Sequence, residues 1–307
     1  MSKKVLITGG AGFIGPALER EFSARGCPIS IIDNLSFGRR KHVSVSDGNF
    51  FAVDILDAPA VSRVVREVAP AWVIHLAAIH FIPYCNAHPY ESGNINLQGT
   101  LNVLDALRGV PSVEKVFFAS TAAVYADSPV PVAETAAVGA LDIYGLTKLI
   151  GERLIHEFHL AAGVPCVIGR LFNAYGPLET NAHLIPEILR QVHDGQRDLQ
   201  LGNIATRRDY IHTSDMARAI FLLMQREAPG VEVFNIGTGN SYTASDVVRY
   251  FERAANCTFN ITVASDRVRK IDRGLLQADI TKIRAATGWE PAMPFHEGIA
   301  ALVRGSS

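Results

Sequence analysis

Thr8-Gly9-Gly10-Ala11-Gly12-Phe13-Ile14-Gly15 follows the short apolar run Val5-Leu6-Ile7 and opens a helical stretch. Glycines 10, 12 and 15 satisfy G-x-G-x-x-G; glycines 9, 12 and 15 satisfy the wider G-x-x-G-x-x-G. Glycine suits this place because a tight turn, close backbone approach to a pyrophosphate and close helix–strand packing all exclude a Cβ. The N-terminus of the following helix offers backbone N–H groups to an anion. Pro16 falls in the first helical turn, where a missing N–H costs little. A glycine triplet by itself also describes an ordinary tight turn, so its surroundings have to decide.

Outward from this stretch, short β-rich runs at 5–7, 28–32, 50–53, 72–75, 115–119 and 165–169 read as buried strands. Between them lie helical patterns at 13–25, 58–68, 96–107 and 144–161. Alternation of this kind predicts an α/β fold with a doubly wound parallel sheet of the Rossmann type. After about residue 174 the pattern changes, with 234–236 as a returning strand. The reading is a dinucleotide-binding domain over 1–173, with a return over about 210–238. A smaller, interleaved C-terminal α/β substrate domain spans mainly 174–307. Asp33 ends the second strand about twenty residues after the glycines, where an acid accepts the ribose hydroxyls of NAD and disfavours the 2′-phosphate of NADP. Arg39 and Arg40 nearby pull the other way, and NAD remains the expected cofactor. Asp54, after the third strand, suits the adenine edge or a strand-end cap.

Composition excludes several classes. With 48% hydrophobic and 19% charged residues and a net charge of -1, the 307-residue chain gives no sign of a nucleic-acid partner. Cys27, Cys85, Cys166 and Cys257 are scattered without C-x-x-C spacing, so neither a disulfide framework nor a metal is expected, and a reducing cytoplasmic setting fits. The N-terminal apolar run is too short for a membrane span.

Tyr144-Gly145-Leu146-Thr147-Lys148 puts a phenol and an ammonium on one helix face. A Lys cation beside the phenol is expected to lower its pKa toward neutrality, preparing it to take a proton from a hydroxyl as hydride leaves for NAD. Ser120 and Thr121 close the preceding strand, where Thr121 either caps the strand end or hydrogen-bonds a developing carbonyl.

Together these residues resemble the extended short-chain dehydrogenase/reductase family, in its nucleotide-sugar epimerase and dehydratase branch. The motifs that carry the resemblance span nearly the whole chain: TGGAGFIG at 8–15, DNLSFGR at 33–39, HLAA at 75–78, NLQGT at 96–100, STAAVY at 120–125, YGLTK at 144–148, RLFNAYGP at 170–177, TRRDYIHTSD at 206–215 and FNIGTG at 234–239. The resemblance implies cofactor contacts from Gly9, Gly12, Phe13, Ile14, Gly15, Asp33, Asn34, Ser36, Asp54, Ile55, Leu76, Ala77, Ala78, Asn96, Ser120, Tyr144 and Lys148. It implies a catalytic trio of Thr121, Tyr144 and Lys148. It also implies a substrate grip by Asn173, Arg208, Arg269 and Asp272. Guanidinium forks suit phosphate oxygens, although Arg208 beside Asp209 also reads as a structural ion pair. Members commonly form homodimers through helices that include the Tyr–Lys helix.

Departures from the pattern bear on the reaction. Ala122 and Ala123 stand where 4,6-dehydratases of the branch usually carry Asp-Glu, which favours an epimerase acting through a 4-keto sugar. His80 and Cys85 are unusual, and read either as acid/base groups facing the sugar or as packed side chains. The expected function is therefore a UDP-hexose or UDP-hexosamine 4-epimerase. Alternatives are a dehydratase of non-standard 4,6 or 5,6 type, a reductase of 4-keto sugars, and a non-catalytic NAD-binding regulator. A GDP-sugar is the alternative substrate.

Overall fold

Val5, Leu6, Ile7 and Thr8 are all fully buried, although only every second side chain of a strand can face one side. The explanation is a sheet covered on both faces, as continuous apolar strands require. In the computed structural model, which describes residues 3–179, 181–264 and 272–305, β1 (Val5–Thr8), β2 (Ile29–Ile32), β3 (Phe50–Phe51), β4 (Trp72–His75), β5 (Lys115–Thr121) and β6 (Cys166–Leu171) alternate with helices. These are α1 (Gly15–Ala24), α2 (Ala58–Val68), the short α3 (Ile82–Ala87) and α4 (Pro89–Gly93), α5 (Gly99–Leu107) and α6 (Ile143–Ala162). The rest of the chain forms β7 (Asn173–Tyr175), α7 (Leu184–His193), β8 (Asp198–Leu201), β9 (Arg207–His212), α8 (Thr213–Gln225), β10 (Val231–Ile236), β11 (Ser241–Thr243), α9 (Ala244–Ala255), β12 (Asn260–Val263), β13 (Leu275–Leu276), α10 (Thr281–Thr287) and α11 (Phe295–Val303).

The main sheet has seven strands in the order β10-β6-β5-β4-β1-β2-β3, and every pairing is parallel. Alternate side chains divide between two cores. Val5, Ile7, Phe117 and Ala119 pack with residues of α1 and α8. Leu6, Val73, Val116 and Phe118 pack with residues of α2, α5 and α6. The returning strand read at 234–236 is the C-terminal half of β10, which lies beside β6. The third strand is shorter than read, Phe50–Phe51 against 50–53, and the helix read from 96 starts at Gly99 after a π-helical turn over Asn94–Gln98.

Chain direction away from β1 reverses between β2 on one side and β4 on the other, so the crevice at their C-terminal ends is a topological switch point. A buried hydrogen-bond chain fixes it. His75 at the end of β4 meets the Thr8 hydroxyl through Nδ1 at 2.6 Å and the Thr100 hydroxyl through Nε2 at 2.9 Å. Burial, reinforced by Lys148, lowers the His75 pKa to about 3, so the ring is neutral.

Beyond β6, β11, β9 and β13 form a small sheet with β7 attached to β9, and β8 pairs with β12. These strands, with α7, α9 and α11, enclose a separate core around Tyr175, Ile188, Phe251 and Ile299. Among the described residues no helix is long and apolar enough to cross a membrane.

Candidate active site

The glycine turn begins with Gly9 at φ +71°, where a Cβ would also come within 2.7 Å of the Ala77 backbone after β4. At Gly15 a Cβ would lie 1.9 Å from the Gly10 carbonyl oxygen, so this glycine lets the start of α1 close against the turn and does not line the cavity. Gly12 is different: a Cβ there would meet only the Gly9 carbonyl oxygen, at 3.2 Å, and the residue faces the cavity. No side chain caps α1, whose N-terminus follows the turn. The Asp33 carboxylate accepts from Ala11 N at 2.9 Å and Leu35 N at 2.8 Å, which locks it against the turn. Burial raises its pKa while those two N–H groups pull it down. Asn34 donates to Asp54 at 2.8 Å, and Asp54 also accepts from Leu56 N at 2.8 Å, so Asp54 both caps the strand end and lines the cavity.

One cavity of about 1270 Å³ runs from this turn to the small sheets. The expected cofactor residues Phe13, Ile14, Ser36, Ile55, Leu76, Ala77, Ala78 and Ser120 line it with Gly9, Gly12, Asp33 and Asn34. Thr121, Tyr144, Lys148 and His80 line it too, as do Asn173, Arg208 and Asp272. The expected contact Arg269 lies outside the described residues.

Two further expected site residues are not in the cavity lining. Cys85 is fully buried, its thiol donates to the Ile79 carbonyl at 3.5 Å, and burial raises its pKa. It is a packed side chain whose thiol does not reach the cavity. Asn96 is also buried: it accepts from Ile79 N at 2.8 Å and donates to Ile79 O and Thr147 Oγ1, each at 3.0 Å. It ties the segment after β4 to the Tyr–Lys helix instead of lining the cofactor path.

Asp142 caps α6 by accepting from Gly145 N at 2.7 Å. A Cβ at Gly145 would sit 2.5 Å from the Ala123 carbonyl oxygen, so glycine lets the helix approach the end of β5. That approach brings Tyr144 near Thr121, whose hydroxyl favours the ionised form of the phenol. Thr121 Oγ1 in turn accepts from Ala123 N at 3.2 Å. The expected fall of the Tyr144 pKa is not found in the protein alone. Burial pushes the phenol well above its usual range and drops Lys148 to about 7. Desolvation penalises both charged forms and is the largest cause at each. Lys148 Nζ stands 4.8 Å over the Phe118 ring.

Behind Ser120 and Thr121 is an ion pair that the sequence did not announce. Arg170 grips both oxygens of Glu152, Nε at 2.9 Å and Nη2 at 2.8 Å, with each side chain less than a tenth exposed. Ser120 donates to the same carboxylate at 2.5 Å.

At the far end of the cavity Arg208 pairs with Asp272 and donates to the Arg207 and Arg273 carbonyls at 2.8 and 2.9 Å. Its chain neighbour Asp209 points the other way and accepts from the Thr238 hydroxyl and the backbone of Thr238, Gly239 and Ala278. The Arg208–Asp209 pair considered from sequence is thus not formed, because successive strand residues face opposite sides. Arg273, missed in the sequence, is buried and donates to the Ala123 and Tyr125 carbonyls next to Thr121.

His80 lines the cavity, meets Asn181 Nδ2 through its Nε2 at 3.1 Å, and is held near a pKa of about 4 by burial and by Lys148. The fold brings Glu179 and His183 to it, with their ligand atoms and that of His80 all within 4.8 Å of one another.

A doubly wound sheet with a glycine turn, an acid after β2 and a Tyr-x-x-x-Lys helix over its switch point defines a dinucleotide-dependent enzyme of the extended short-chain dehydrogenase/reductase type. The profile of the NAD dependent epimerase/dehydratase family matches residues 5–237. The chain belongs to that family, and its cofactor is NAD. It is 32% identical to the UDP-glucose 4-epimerase of Streptomyces lividans, over 95% of this chain and 92% of that protein. It is 29% identical to the UDP-N-acetyl-alpha-D-glucosaminuronate decarboxylase of Bacillus cytotoxicus, over 99% of this chain and 98% of that protein. The crystal structure of UDP-glucose 4-epimerase from Thermus thermophilus in complex with NAD superposes with a TM-score of 0.90 at 31% identity, covering 99% of this chain and 100% of that one.

Proposed function

We propose that the chain interconverts the C4 epimers of a UDP-hexose or UDP-hexosamine through a transient 4-keto sugar. The observation that carries this reading is one continuous cavity, which joins the glycine turn and Asp33 to the Thr121–Tyr144–Lys148 group and on to Arg208. The cofactor fits the first part: Gly12 faces the cavity without a side chain, Asp33 is fixed with its carboxylate at the cavity, and α1 has no side-chain cap. NAD bound there supplies the hydride acceptor and a positive nicotinamide ring.

The chain's own residues handle protons and charge. Tyr144 takes the proton of the sugar 4-hydroxyl as the phenolate, a form that burial alone opposes and that Thr121, a protonated Lys148 and the positive ring of the bound cofactor would favour. The Ala123 N–H already binds a Thr121 lone pair, which leaves the hydroxyl hydrogen for Tyr144. Lys148 supplies positive charge when protonated, and its pKa of about 7 keeps both forms accessible near neutrality. Arg208, steadied by Asp272, offers a guanidinium to the substrate diphosphate. Ala122 and Ala123 are buried beside Thr121 and place no carboxylate there, which supports epimerisation over 4,6-elimination. Removal of Cys85 from the cavity takes away one of the two groups on which the dehydratase alternative relied.

Pairing with a second copy belongs to the same reading. Leu146 and Ile150 on α6 and Leu101 on α5 are exposed by 47%, 38% and 42%, an apolar surface suited to a homodimer. The reaction is tested by incubating the protein with UDP-glucose and UDP-N-acetylglucosamine in deuterated water. Inversion at C4 with unchanged mass is expected; a product lighter by one water overturns the epimerase reading.

A further inference from the structure

We infer that His80, Glu179 and His183 form a binding site for one divalent transition-metal ion at the wall of the active-site cavity. All three residues line the cavity, and their ligand atoms lie within 4.8 Å of one another. In a tetrahedral zinc site, metal–ligand distances of about 2.0–2.2 Å put neighbouring donors about 3.3–3.6 Å apart. Side-chain adjustments of about an ångström therefore close the set.

Two features favour a cation. First, two of the acceptors already converge on one donor: Asn181 Nδ2 sits 3.1 Å from His80 Nε2 and 3.3 Å from Glu179 Oε1. Rotation of that amide would turn its oxygen toward the same point as a further donor. Second, the rings of His80 and His183 stand nearly parallel at 6.0 Å, and Phe81 packs edge-on to His183 at 5.2 Å, so aromatic contacts orient both imidazoles. Two imidazoles and one carboxylate suit zinc and its first-row neighbours, and suit magnesium or calcium poorly.

The donors come from separate parts of the fold. His80 follows β4 of the main sheet, whereas Glu179 and His183 lie between β7 and α7. A bound ion would tie these two walls together and present its remaining coordination positions to the cavity. Binding of the ion itself does not rest on the epimerase reading, since it is measured without turnover.

The test uses tag-free full-length protein, treated with chelator, dialysed and titrated calorimetrically with Zn²⁺ at pH 7. One ion per chain is expected. His183→Ala and Glu179→Gln should each weaken binding by at least about tenfold, whereas His296→Ala, whose side chain is 65% exposed, should not. In parallel, Zn²⁺ should raise the thermal midpoint of the parent chain and fail to raise that of the variants. Circular dichroism checks folding, and His183→Asn replaces His183→Ala if the latter does not fold. Absence of stoichiometric binding, binding unchanged in both variants, or equal affinity for Mg²⁺ would each overturn the site.

Discussion

Replacing Glu152 by Gln isolates the buried pair behind Ser120. The change keeps the shape of the side chain and removes its charge, leaving the Arg170 guanidinium almost inaccessible to water and facing an amide. Both bonds of the fork, at 2.9 and 2.8 Å, are charge-assisted, and the NH₂ of glutamine opposes one of the guanidinium donors. Breaking a buried pair by neutralising one partner costs about 3–5 kcal/mol. For a chain of 307 residues, an unfolding entropy of about 2.1 cal/mol/K per residue gives roughly 0.6 kcal/mol/K. The thermal midpoint should then fall by about 5–8 °C. The double variant Glu152→Met/Arg170→Met removes both charges and should recover most of that loss, because replacing a buried pair by apolar side chains is often neutral. Calorimetry on the parent, both single variants and the double variant yields the coupling energy. A fall of less than about 1 kcal/mol in Glu152→Gln, or a double variant no better than the worse single one, would refute the view that the pair is desolvated and mutually dependent.

Lys148 carries a pH signature. Its folded pKa of about 7 lies below the ordinary 10.5, so the folded state is penalised fully below pH 7 and the penalty fades as pH rises from 7 to 10.5. In cofactor-stripped protein, Lys148→Met should therefore be more stable than the parent by a few kcal/mol at pH 6–7, less the roughly 0.5–2 kcal/mol of the Phe118 contact. Denaturant titrations in which the gap stays constant up to pH 10 would count against it. Tyr144→Phe should lower kcat by about 10²–10⁴ while NAD stays bound, as the hydroxyl is the proposed base; kinetics within about threefold of the parent would exclude that role. Cys85→Ala should keep turnover nearly unchanged at a stability cost of about 1–2 kcal/mol, and a large loss of kcat in a folded variant would return the thiol to the chemistry.

The main sheet and its cofactor end were legible in the residues alone. Glycine turn, apolar strands and Asp33 are local signals whose geometry follows from sterics and from a period of two. Helix α2 was legible to the residue because Asp57 caps it and Pro59 stands in its first turn. The long-range features were different. Cys85 and Asn96 sit in short helical segments where nothing local says which face looks into the cavity, and the packing of α6 against the segment after β4 decided it. Arg208 chose Asp272 over its neighbour Asp209 because strand alternation separates adjacent side chains. The pKa of Tyr144 moved opposite to the simple pairwise expectation, since burial is a property of the assembled site. The cluster of His80 with Glu179 and His183 had no spacing to betray it, with His80 standing 101 positions from the Asn181 amide it touches. Local order is written in neighbouring residues, whereas the meeting of distant side chains, and the dielectric they meet in, exists only once the chain has closed on itself.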